Sequence, residues 1–298
     1  MQKSSVSSEA KTHRAILFVL YLIGGLLVFL FGSNTFRVFP TNKNLLYEWG
    51  LTLVFLLLAV FLRKSARLRK YWEIAFALFI ASFANALNLI LGNWLAHLLP
   101  PAASTAQELA IDKLSQAIPI VLAIILLTLL SGYDLGSIFL KRGNLRQGLT
   151  FGLVSFGVFA AIFTAIAVLQ ANAPASQGLT ASGVSLGVII PAIPWILVFI
   201  FANSLMEELW FRGISLRKLS PFLGALGAVF LTALVFGIPH LAVTYITPGQ
   251  MFIFPLIVFA CGLVNGFVML KTDSIVGSVL FHAGYDLFVI IPVLVSSQ

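Results

Sequence analysis

The sequence predicts an all-α fold, a polytopic transmembrane helical bundle of about nine spans, and three observations predict it. The 298 residues are 60% hydrophobic and 9% charged, with a mean hydropathy of +1.04, whereas soluble domains carry about 25% charged residues. Uncharged stretches of about 18 or more residues recur along the chain, close to the ~20 residues that a helix needs to cross a bilayer core. The Lys and Arg residues alternate between rich and poor connections, as they do around membrane spans.

Taken in order, the first span covers Ala15–Gly32. It is too long for a signal-peptide core, and GSNTF after it lacks a small-x-small cleavage pattern, so it reads as a retained anchor. The second and third cover Leu45–Leu62 and Tyr71–Leu91. The fourth, Ala117–Ser131, is short, and the polar stretch PPAASTAQELAIDKLSQ before it (Pro100–Gln116) reads as a loop with a short amphipathic helix. Gly148–Leu169, Leu186–Met206 and Phe222–His240 follow, the last with Pro239 to bend or end it. Met251–Leu270 and Ser274–Val295 complete the set. The expected organisation is a disordered cytoplasmic tail over 1–14, N-terminal transmembrane helices over 15–131 and a second transmembrane segment over 132–298. Cys261 stands alone in a span, which excludes an intramolecular disulfide and leaves it as a small apolar filler.

A net charge of +8 raises nucleic acid as a partner, and the placement of the charges removes it. If nine helices alternate, fifteen of the eighteen Lys and Arg residues fall on one side, leaving Arg37, Lys43 and Lys113 on the other. That bias predicts a cytoplasmic N-terminus and an outside C-terminus, with membrane lipids as the surroundings.

Ionisable groups inside a bilayer cost ~2.5–3.5 kcal/mol each on insertion scales, so each one there needs an explanation. Glu9, Glu48, Glu73, Glu108, Asp112, Asp134 and Asp273 read as end or loop residues. Glu207, Glu208, His240, His282 and Asp286 remain, all in the last third of the chain. In SLMEELWFRG, α-helical geometry sets Glu208 one turn before Arg212 for a bidentate buried pair and leaves Glu207 on another face, unpartnered and free to take a proton. His240 lies one turn after Phe236, and His282 one turn before Asp286. Taken one at a time, these groups also read as wet interface residues or as a structural hydrogen-bonded pair. Three apolar helices that each bring ionisable groups inward point instead to one shared polar pocket.

Glu207-Glu208-x-x-x-Arg212, Phe236-x-x-x-His240 and His282-x-x-x-Asp286 resemble the three ordered motifs of the CAAX protease and bacteriocin-processing family, also called the Abi family. The segment DLGSIFLKRGNLRQG is similar to the lead-in of such proteins. The resemblance covers about residues 130–290 and implies an intramembrane endopeptidase acting on a peptide or protein, lipidated or not. It implies that Glu207 activates water with help from His240, that His282 and Asp286 stabilise the oxyanion, and that Glu208 and Arg212 hold the site in shape. The family's last motif ends in Asn or Asp, and an Asp donates a hydrogen bond only when protonated. No cofactor is implied. Zinc held by His240, His282 and a carboxylate is an alternative, without the usual His-Glu-x-x-His spacing. A proton-coupled transporter is another, and it lacks the internal symmetry that such folds carry.

Overall fold

The computed structural model describes residues 2–32, 41–100, 102–171, 186–242 and 248–296. Arg37 lies outside them, as does the rest of the connection at 33–40. The elements are α1 (Gln2–Leu26, continued by a π turn at Leu27–Phe31), α2 (Thr41–Lys64), α3 (Trp72–Leu91), α4 (Trp94–Leu98) and α5 (Thr105–Leu130). They continue with α6 (Leu145–Ala171), α7 (Leu186–Glu207, continued by a π turn at Glu208–Gly213), α8 (Leu216–Gly237, then a 3-10 turn at Ile238–Ala242), α9 (Pro248–Thr272) and α10 (Val276–Ser296). Among the described residues nine helices are long and apolar enough to cross a membrane, and no strand occurs. The protein is an all-α polytopic bundle. Its outer surface is apolar, with Leu57, Leu126, Leu153, Ile162 and Leu256 among the exposed side chains, as a lipid-facing surface requires.

Four sequence expectations need correction. The fourth span begins at Thr105, not Ala117, because Ser104 accepts a hydrogen bond from the Gln107 N–H and the Gln107 side chain reaches back to the Ala103 N–H. That reciprocal cap starts a helix across the stretch read as a loop, and Ala106, Ala110 and Ile111 bury its inner face. The tail expected to be disordered is helical from Gln2, since adding turns to an existing helix costs little once it is nucleated. Glu48 is no end residue. It is fully buried in α2, where it accepts a hydrogen bond from Ser82 Oγ of α3 at 3.2 Å. Finally, Gly224 breaks α8 with φ +76°, a left-handed conformation open to glycine, so the seventh span is two helical pieces.

Close crossings between helices place the site. α6 and α10 meet at Gly148, Gly152 and Gly277, where a Cβ on Gly152 would stand 2.6 Å from the Gly277 carbonyl oxygen. Small residues let backbones approach in this way where lipid supplies no hydrophobic drive. α7 packs against both α5 and α10, and α8 against α9. At the other end of the site, Asp273, between α9 and α10, pairs with Lys141 and Arg217. Partial burial acts to raise its pKa, and the two cations outweigh that and hold the carboxyl below its ordinary range. Asn144 N donates to Thr272 O at 2.8 Å and Ile275 N to Phe139 O at 3.0 Å, so the lead-in segment is stitched to the same turn.

Candidate active site

The α-helical hydrogen bonding of α7 stops at Glu207, and Glu208–Gly213 form a π turn in which the Ile214 N–H reaches five residues back to Leu209 O at 3.1 Å. One extra residue in a helix of this kind is often found at functional sites. Here it divides two neighbouring carboxylates. Glu208 is fully buried, while the Glu207 side chain keeps 17% of its surface and lines a cavity.

Glu208 is held by four partners. Its Oε1 accepts from Arg212 Nη1 at 2.8 Å, Asn265 Nδ2 at 2.9 Å and His282 Nδ1 at 2.7 Å, and its Oε2 from Ser278 Oγ at 2.5 Å. The expected pair with Arg212 therefore forms, but through one hydrogen bond, not two, because Ser278 occupies the second oxygen. Arg212 has no exposed surface; its Nε donates to Gly262 O at 3.3 Å and its guanidinium lies 4.3 Å over the Phe236 ring. The bias of basic residues towards one side thus rests on the others, since Arg212 belongs to the site. Phe236 also meets the rings of His240 at 4.8 Å and His282 at 5.8 Å, which makes it the common wall of the second and third motifs.

His282 links the two glutamates. A carboxylate only accepts, so Nδ1 carries the hydrogen towards Glu208, and Nε2 faces Glu207 Oε2 at 3.4 Å and Asp286 Oδ1 at 3.6 Å. Glu207 is thus not unpartnered, as helix geometry alone suggested, because α10 supplies a neighbour that positions along α7 do not disclose. Tyr285 stacks on the imidazole at 4.4 Å and fixes its plane. Asp286 Oδ2 accepts from Asn203 Nδ2 at 3.0 Å. His240 stands apart in the 3-10 turn after α8. Its Nδ1 donates to Phe236 O at 2.7 Å, so Nε2 accepts while the ring is neutral and donates once the ring takes a second proton.

The cavity beside Glu207 measures about 490 Å³ and is lined by His240, Met206, Trp210 and Phe211, together with Asn85 and Asn88 of α3, His97 of α4, and Lys113 and Gln116 of α5. His282 and Asp286 are buried behind Glu207 and do not line it. Helices before residue 131 thus build one wall of the cavity, and the Trp210 Nε1–H donates to Ala81 O of α3 at 3.0 Å, tying that wall to the π turn. Among the described residues, no group of three or more His, Cys, Asp and Glu side chains is arranged to hold a metal ion.

All seven residues singled out by the sequence meet around this π turn. Residues 189–288 match the family model for type II CAAX prenyl endopeptidase Rce1-like proteins. The match agrees with the resemblance carried by the three motifs, and no curated protein or solved structure matches the chain. The Rce1-like segment runs from α7 into α10 and holds every one of the seven residues, while α1–α6 lie before it. The match covers about a third of the chain, and over that third the chain is similar to a family of CAAX prenyl endopeptidases.

Sequence reasoning gave no role to Asn203, Asn265, Ser278 and Tyr285. Their signal was present, for Asn203 is one turn before Glu207 and Ser278 one turn before His282, but a search limited to ionisable groups does not weigh amides and hydroxyls.

Proposed function

We propose that the protein is a metal-independent, glutamate-type intramembrane endopeptidase in which Glu207 is the general base. The observation that supports this most is the division of labour between two adjacent carboxylates. Glu208 is saturated by four hydrogen bonds, and Glu207 faces a cavity that it shares with His240.

In the proposed reaction, a water in the cavity gives a proton to Glu207 as its oxygen attacks the peptide carbonyl carbon. The developing oxyanion is met by His240, which approaches from the same cavity with Nε2 protonated. The C–N bond then breaks, and the proton on Glu207 passes to the departing amine. His282, buried and fixed by Glu208 and Tyr285, orients Glu207 and balances its charge. Asp286, with Asn203, supports His282 from behind. This arrangement moves the oxyanion role from His282 and Asp286 to His240, since the first two do not reach the cavity. It needs no metal. The charge bias supports a cytoplasmic N-terminus and an outside C-terminus, with the catalytic groups of this reading on 132–298.

The test is purified full-length protein incubated with lipidated and unlipidated peptides, with product masses recorded in the presence and absence of a strong chelator. Discrete products that survive chelation support the reading. Activity lost with stoichiometric zinc and restored by it would replace the base mechanism with a metalloprotease, and a protein that cleaves nothing but moves protons with a solute would be a transporter.

A further inference from the structure

A second cavity lies away from the site. α2 and α5 each pack on α3, and the groove between them measures about 340 Å³, at the lower end of the roughly 300–1,000 Å³ range of ligand pockets. It shares no lining residue with the cavity beside Glu207 and belongs wholly to helices before the family match. Leu56, Val60, Phe79, Leu127 and Leu130 form its apolar walls. Val60 is 42% exposed and Leu130 82%, so the groove opens sideways to the surrounding hydrocarbon. Arg63, Trp72 and Ser131 close one end.

That end is polar, aromatic and strongly basic. The Arg63 guanidinium lies 4.8 Å over the Trp72 ring, and Trp72 stacks on Tyr133 at 6.1 Å; Trp and Tyr gather in this way at headgroup depth. An arginine stacked by its face keeps its N–H edge for the oxygens of a phosphate. Arg63 also opens a run of exposed cations, continued by Lys64, Arg67, Arg69 and Lys70. Two carboxylates stand nearby. Arg63 and Glu73 share Tyr133 as a neighbour, and the Tyr133 hydroxyl donates to Glu73, which also offsets Lys218. Asp134 accepts from the Ser137 N–H at 2.9 Å. Six cations, with Lys218, against two carboxylates leave a surplus of four positive charges. Clusters of this size beside a membrane span attract anionic lipid.

We propose that this groove binds one anionic phospholipid, with an acyl chain between α2, α3 and α5 and the phosphate on Arg63. An apolar slot that ends at a cation fits a tail joined directly to an anion. A free phosphate leaves the slot empty, and a zwitterionic lipid brings no net charge to the surplus. The site is independent of the endopeptidase reading and gives a role to helices outside the matched segment.

The experiment takes purified, delipidated full-length protein in a neutral detergent, adds phosphatidylglycerol or phosphatidylcholine with the same acyl chains, and counts retained lipids by native mass spectrometry. One phosphatidylglycerol should be retained roughly tenfold more tightly than phosphatidylcholine, and Arg63→Gln should remove that preference, the size expected of a charge-assisted hydrogen bond. Lys64→Gln and Arg67→Gln delete the same charge outside the groove, and each should leave the affinity within about twofold, as exposed and screened charges do. Val60→Trp, which fills the groove from its lipid side, should release the lipid without lowering the thermal stability of the lipid-free protein. Should that variant fold poorly, Leu130→Trp fills the same groove from a more exposed position. Equal retention of the two lipids by the wild type overturns the site. So does an equal loss in all three charge variants, which would mean diffuse attraction to the basic connection, and so does undiminished binding when the groove is filled.

Discussion

His282 Nδ1 stands 2.7 Å from Glu208 Oε1, and through that contact the second nitrogen of the same ring is aimed at Glu207. The carboxylate proposed as base is thus oriented by a histidine that is itself anchored by the neighbouring carboxylate. Two residues adjacent in sequence and chemically alike therefore have different expected consequences when changed.

Glu207→Gln should yield a folded, extractable protein without turnover. The amide keeps the shape but takes no proton from water, and loss of a general base lowers rates by ~10²–10⁴-fold. Rates measured on a cleaved peptide, with thermal unfolding in parallel, check this; full turnover in the variant would remove Glu207 from its role.

Glu208→Gln should instead unfold more easily. It leaves Arg212, with no exposed surface, without its anion, and breaking a buried pair costs about 3–5 kcal/mol. Arg212→Gln in the same chain should recover part of the loss by removing the orphaned cation. A Glu208→Gln protein as stable as the wild type would contradict this account.

Asn203 and Asp286 form one hydrogen-bonded pair across α7 and α10. Asn203→Leu should lower kcat by roughly tenfold or more by leaving a buried carboxylate oxygen without its donor. The exchanged variant Asn203→Asp/Asp286→Asn keeps one amide and one carboxylate in contact, and it should retain more activity than either single change. Equal loss in all three would show that each position matters by itself and not as a pair.

Gly277→Val should weaken the bundle at the α6–α10 crossing. Any Cβ there meets the Gly148 backbone, and overpacking of this kind costs typically ~1–3 kcal/mol. Lower thermal stability with activity reduced in step is the expected result, because α10 carries both His282 and Asp286.

For topology, a single cysteine at Ala66, exposed between α2 and α3, in a Cys261→Ala background should react with a membrane-impermeant thiol reagent only after cells are opened. Labelling in intact cells would invert the orientation. Ser215, on the same side of the bundle, is unsuited to this test because it is buried against Tyr21.

The number of spans was legible because hydropathy over ~20 residues does not depend on tertiary contacts. The three motifs were legible because charged groups stand out on apolar helices. Three features were not. The start of α5 depended on a local cap at Ser104, the burial of Glu48 on a partner in α3, and the surroundings of Glu207 on α10. Each is decided by a contact or local geometry to which a count of apolar residues is blind. The π turn escaped for another reason, since reading Glu208 and Arg212 at α-helical spacing still brings them together.

That turn takes up one residue more than plain α-helical winding, so the stretches on either side of it keep their faces and the surplus is confined to Glu208–Gly213. An α-helix advances by ~100° per residue, so shortening this stretch by one residue would redirect the side chains within it, Arg212 among them, while the lipid-facing stripe of α7 stayed in place. Length in this stretch is therefore constrained as strictly as composition, because the spacing from Glu208 to Arg212 is itself part of the site.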